Sequence, residues 1–233
     1  MAAAALAAGI ITSQAQPVYS QNIVGYVNIP LVAGQLQVVA PALDADGTGT
    51  NSTITTVFGT NNVSIGDVIF AFNGVGYDVL NYKTVGHGAT AVTGWYLGSA
   101  LDNSYPLNPG EAVFYSSAAN ETNTQVGVVL QGTNLPNAYI AGAGGISLVS
   151  SVVPLAGGLT TQLGYNPSIG DVVFSYNGLG YDVYNYKTVG HGATAVTGWY
   201  LGSTLAEPQI PIGGGVWLQP ATSTQWVESF VSH

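Results

Sequence analysis

Along most of the chain, Val, Ile, Tyr, Phe and Thr alternate with polar residues over short stretches, and Asn-Gly, Gly-Gly and Pro-Gly punctuate them. Apolar residues at helical spacing do not persist beyond about seven positions. This pattern predicts short strands joined by tight turns. The clearest case is 67–72 and 77–83, which flank Asn73-Gly74-Val75-Gly76. Asn and Gly tolerate the positive φ of a hairpin loop, so a hairpin is expected here. Its register would set Phe72 across from Tyr77, Phe70 across from Val79 and Ile69 opposite Leu80. Both faces of such a hairpin are partly apolar, as in a sandwich or barrel and unlike a sheet with one wet face.

The same pattern recurs about 104 residues later. Segment 64–99 reads SIGDVIFAFNGVGYDVLNYKTVGHGATAVTGWYLGS, and 168–203 repeats it with changes only at Ile69/Val173, Ala71/Ser175, Phe72/Tyr176, Val75/Leu179 and Leu80/Tyr184. Weaker similarity flanks the block: 110–118 with 213–221, 33–43 with 143–155, and 53–59 with 159–164. The expected architecture is all-β, two tandem copies of a β-sandwich or barrel-like unit with short helical turns, at 22–132 and 133–233. Each unit would run strand, short helical turn, hairpin, long loop (84–94 and 188–198), final hairpin.

Composition narrows the partners. Charged residues make up 6% of the chain, against about 25% in an ordinary soluble domain. Lys83 and Lys187 are its only basic residues besides histidine, and the net charge is −9. A nucleic-acid interface or an anionic-membrane contact, both of which depend on Lys and Arg, is therefore excluded. No run of 18 apolar residues follows residue 12, so no spanning helix is expected. The stretch 2–11 is apolar and Ser13-Gln14-Ala15 offers small residues for a signal peptidase. Residues 1–15 are accordingly read as a signal peptide, although no basic residue follows Met1, and the protein is expected to be secreted or at the cell surface. A surface of Gly, Asn, Thr, Ser, Gln and Tyr is weakly protected against self-association.

QNIVGYVNIPLVAG, the hairpins FNGVGYD and YNGLGYD, the following Gly-Trp and then LNPGEAVFY resemble a group of uncharacterised secreted bacterial β-rich repeat proteins. The resemblance covers most of the chain. It implies secretion and an all-β unit, and no activity or site. The second unit has Ile212-Gly213-Gly214 where the first has Pro109-Gly110-Glu111, so Glu111 is not a group both units need.

Candidate chemistry is sparse. His87 and His191 sit in identical Gly-His-Gly-Ala-Thr segments, but a metal site needs three or four donors and neither has a second His nearby. Asp44-Ala45-Asp46-Gly47-Thr48 begins like a calcium loop but lacks the Glu at its twelfth position and is not repeated. Asp67/Asp171 and Asp78/Asp182 recur, and each unit's lysine is placed to pair with either; backbone acceptor roles are expected for the aspartates. Trp95 and Tyr96, with Trp199 and Tyr200, are the candidate stacking surface for a sugar ring. No catalytic residue, cofactor or metal is expected. The sequence points to a secreted non-catalytic structural or surface protein acting through self-association or contact with other surfaces, with His87, His191, Trp95, Tyr96, Trp199 and Tyr200 as candidate contacts. The alternative is a carbohydrate-binding module for surface glycans using exposed Trp and Tyr.

Overall fold

In a computed structural model describing residues 23–60 and 62–231, the Asn73 turn closes as its chemistry requires. Asn73 Oδ1 accepts the N–H groups of Val75 and Gly76, and Gly74 takes φ 94°. The flanking strands pair with Phe72 opposite Tyr77, Phe70 opposite Val79 and Ile69 opposite Leu80, the expected register. The signal segment and His233 lie outside the described residues.

The strands are β1 (Val24–Leu31), β2 (Leu36–Val39), β3 (Val68–Phe72), β4 (Tyr77–Val85), β5 (Val92–Leu97), β6 (Ala100–Leu101), β7 (Val113–Ser116), β8 (Glu121–Val128), β9 (Gly132–Pro136), β10 (Ser147–Val149), β11 (Gly157–Gly158), β12 (Val172–Tyr176), β13 (Tyr181–Val189), β14 (Val196–Leu201), β15 (Thr204–Leu205), β16 (Gln209–Ile210), β17 (Val216–Gln219) and β18 (Val227–Phe230). One short helix, α1 (Ile54–Phe58), starts at Thr53, whose side chain and that of Thr56 cap each other's backbone. The chain is all-β, as the pattern predicts. Two six-stranded antiparallel sheets have the same order, β2-β7-β3-β4-β5-β6 and β10-β17-β12-β13-β14-β15. Beside each, the first strand meets the last as a ribbon, β1 with β8 and β9 with β18.

The first core lies between its sheet, β1 and α1, and the second between its sheet, the segment 159–165 and Trp226 just before β18. Ile69, Leu80, Trp95 and Tyr115 from the first sheet pack on Leu31 of β1 and Ile54, Val57 and Phe58 of α1. In the second, Val173, Trp199 and Leu218 pack with Trp226, Leu159 and Leu163, and a turn at 159–163 stands where α1 does. Removing apolar side chains from water at about 25 cal/mol per Å² is the main stabilising term in both.

Two buried aspartates anchor the sheets. Asp67 accepts the Ser64 N–H and Tyr115 hydroxyl on Oδ2 and the Ala118 N–H on Oδ1. Asp171 accepts the Ser168 N–H, the Tyr165 hydroxyl and the Ala221 N–H in the same pattern. The hydroxyl arrives from different places, because Leu218 occupies the second sheet's equivalent of Tyr115. These carboxylates are structural acceptors, spent on three donors each.

The sheets meet through an aromatic seam. Phe72 packs on Trp217 at 4.8 Å and, reciprocally, Tyr176 on Phe114 at 5.4 Å. Backbone bonds repeat the exchange: Ala40 N–H donates to the Gly213 carbonyl, and Ser150 N–H to that of Gly110. Register equates Ala40 with Ser150 and Gly110 with Gly213, since Val39 faces Val113 as Val149 faces Val216. A contact in which i meets j and j meets i is that of a two-fold dimer, here within one chain.

Candidate functional site

The identical block builds the same hairpin end twice. β4 and β5 run as far as Val85 and Val92, with Thr84 opposite Thr93, so the connection is only 86–91, and 190–195 in the second copy. The long loop expected over 84–94 is thus shortened to its middle six residues; the β-branched residues at both of its ends extend the ladder. Thr84 and Thr93 join hydroxyls at 2.7 Å, as do Thr188 and Thr197. The turn depends on Gly86, at φ 98°, where a Cβ would lie 2.8 Å from the Thr90 carbonyl oxygen. A short 3-10 turn follows, tied by the Thr90 hydroxyl donating to the His87 carbonyl. His87 and His191 adopt matching backbones, φ −136° with ψ 147° and φ −136° with ψ 145°. Both imidazoles are exposed and neither caps its turn.

The aromatic candidates lie elsewhere. Trp95 is 1% exposed, Trp199 3%, Tyr96 4% and Tyr200 5%. A stacking platform needs an open ring face, so the expectation of exposed Trp and Tyr binding sugar is corrected. Trp95 alternates onto the core face, among Phe58, Tyr82 and Tyr115. Trp199 Nε1 donates to the Thr160 hydroxyl. Tyr96 lies on the opposite face but sends its hydroxyl to the Val92 carbonyl, and Lys83 Nζ sits 5.3 Å from its ring; Tyr200 and Lys187 repeat this. The lysines are not held by the aspartates: Lys83 Nζ donates to the Gly98 carbonyl and Lys187 Nζ to that of Gly202. Asp78 instead accepts from Asn73 and from the Tyr105 hydroxyl.

Asp44 and Asp46 are likewise engaged. Asp44 accepts from Gly47, Gly49 and Ser52, and Asp46 from Thr48 and Asn51, whose amide holds the Asp46 carboxyl down at about 2. The segment is a self-capped turn. Among the described residues no three His, Asp or Glu side chains cluster in a way that would hold a metal ion.

No protein-family model, no curated protein and no solved structure matches the chain.

What the block offers is an edge. β6 covers only Tyr96 and Leu97 of β5, and β15 only Tyr200 and Leu201 of β14. Next to these, Trp95 donates its N–H to Asn103 Oδ1 and its carbonyl accepts the Asp102 N–H, and the Trp199 carbonyl accepts the Ala206 N–H, so the uncovered edge is 92–94 and 196–198, flanked by Val85 and Val92, or Val189 and Val196, each nearly half exposed. An uncharged, partly apolar strand edge is a template for pairing with another chain. The sequence singled out His87 and His191 within this surface and missed the valines, whose signal was their placement just before and after the Gly-His-Gly turn.

Proposed function

We propose that this is a secreted, non-catalytic structural protein that works at or outside the cell surface by associating with further copies of itself through its two identical hairpin edges. One observation carries the reading: the 18 residues that are unchanged between 82–99 and 186–203 build, in both places, the same hairpin end, whose second strand is left uncovered at 92–94 and 196–198. A chain with two such edges is bivalent, and bivalence turns weak contacts into extended assemblies. The low charge fits, because few like charges oppose close approach.

Light scattering of the purified protein across a concentration series tests this. The wild type should grow in mass with concentration. His87→Asp with His191→Asp should shift that growth to higher concentration and leave the thermal melt unchanged, because each carboxylate is placed in solvent on the turn. A strictly monomeric wild type, or a double variant that assembles equally well, would overturn the reading.

A further inference from the structure

The two-fold contact between the sheets leaves two matching clefts, one on each side of the aromatic seam. The first, 250 Å³, lies between Phe72 and Glu111 of the first unit and Ile146 and Ser147 of the second. Its twin, 220 Å³, lies between Tyr176 and Gly214 of the second unit and Leu36 and Gln37 of the first. Register makes these positions equivalent: Phe72 and Tyr176 both end the strand before the Asn-Gly turn, and Ser147 faces Leu218 as Gln37 faces Tyr115.

The clefts have diverged in their chemistry. Glu111 stands in the first where Gly214 stands in the second. Tyr105 stands where the other unit has Pro208, since the carbonyls of both accept from the first residue of α1 or of the turn that matches it, Ile54 and Leu159 respectively. Tyr139 completes the first cleft. Glu111 Oε2 accepts the Asn108 N–H at 2.8 Å, and the Tyr105 hydroxyl is turned toward Asp78 at 2.9 Å. Glu111, Tyr105 and Tyr139 line the same cleft; burial chiefly raises the titration of both tyrosines, and the charge of Glu111 adds to it. Burial pushes Glu111 itself up to about 7.

Among the described residues no cation lines this cleft. Both lysines are committed to the Gly98 and Gly202 carbonyls, and arginine is absent from the chain. Above its raised titration the half-buried Glu111 is a carboxylate with no cation beside it, so an ammonium entering the cleft meets an unpaired charge. The rings of Phe72, Tyr105 and Tyr139 add apolar walls and faces that attract a cation. An anion would meet the Glu111 carboxylate with nothing to balance it. The volume lies just under the roughly 300 Å³ at which pockets for drug-sized ligands begin.

We propose that the Glu111 cleft binds a small primary amine carrying an apolar or aromatic body, its ammonium on Glu111 and its body against Phe72, Tyr105 and Tyr139. The twin cleft, with glycine and proline at the decisive positions, is unarmed and does not bind it. The site is independent of the hairpin edges.

Benzylamine is the probe, titrated at pH 8 by isothermal calorimetry and followed by amide NMR shifts, with benzyl alcohol and benzoate as its neutral and anionic matches. One benzylamine should bind per chain in the millimolar range or tighter, with shifts around Glu111, and benzoate should not bind. Glu111→Gln keeps an acceptor for the Asn108 N–H and should weaken benzylamine by about tenfold or more, the loss of a charge-assisted bond. Because the three probes are compared on the wild-type chain, the test stands even if the variant folds poorly. Equal binding of amine, alcohol and benzoate, no benzylamine binding, shifts confined to the twin cleft, or unchanged affinity in a folded Glu111→Gln chain would each overturn the proposal.

Discussion

Glu228 carries a carboxylate into the second unit at a position where the first unit uses an amide. Gln125 Oε1 accepts the Ala42 N–H and its Nε2 donates to the Ala40 carbonyl. Glu228 accepts the Val152 N–H on Oε2 and the Ser151 hydroxyl on Oε1 while only 4% exposed. Desolvation outweighs those two bonds and pushes its titration from 4.5 up to about 7. The folded state therefore holds a proton that the unfolded state has released between those values. Stability from this group is fully present below about pH 4.5 and is lost as pH rises through 7. The interval from 4.5 to about 7, at about 1.4 kcal/mol for each pH unit, makes the loss about 3 kcal/mol. Glu228→Gln removes the titration and borrows the amide of the sister unit. Thermal melts of both proteins between pH 4 and 8.5 should show the variant gaining on the wild type as pH rises, by about 6–12 °C in Tm across the window for a chain of this size. Glu111 titrates in the same window in both proteins, so the difference between them isolates Glu228. A Tm difference that stays constant from pH 4 to 8.5 would refute the reasoning.

Other outcomes follow from single side chains. Asp67→Asn keeps the shape but turns a donor toward groups that already donate, and should cost about 2–3 kcal/mol in urea unfolding; Asp171→Asn should cost the same despite its different tyrosine. Thr160→Val strands the buried Trp199 indole N–H and should cost about 1–3 kcal/mol by the same assay. Gly86→Ala forces a Cβ against the Thr90 carbonyl, and should destabilise by about 1–3 kcal/mol and broaden the amide signals of 86–91 in NMR spectra.

The hairpin register and the backbone role of Asp67 were legible because both depend on neighbours in sequence: an Asn-Gly turn between alternating residues, and a carboxylate three positions after Ser64. The ribbon of β1 with β8 was not, because nothing local says that Val24 will face Val128. The fate of Trp95 and Tyr96 was half legible. Alternation sends them to opposite faces, yet Tyr96 is buried on the outer one by its own lysine, a contact across two strands. The Tyr115 and Tyr165 hydroxyls reach equivalent carboxylates from non-equivalent positions, so comparing the two units by sequence hides the correspondence. In the same way, Asn123 holds the Val57 carbonyl at the end of α1, whereas Trp226 holds that of Leu163 at the corresponding turn. The clefts flanking the aromatic seam were invisible for a further reason: each draws one wall from either unit.

The reciprocal bonds from Ala40 to Gly213 and from Ser150 to Gly110 have a consequence for evolution. Two separate copies joined by such a contact come apart on dilution, whereas a covalent link fixes the local concentration of one half around the other. In a pair encoded by one gene, each substitution strikes both sides of the axis at once. A carboxylate at one cleft would force a second at the other, and a change that suits one wall would have to suit its mirror. Fusion lifts that constraint. Each side of the seam can be altered alone, so Gly214 can keep the backbone close against Pro211 while Glu111 sits in the opposite cleft, and neither half compromises the other.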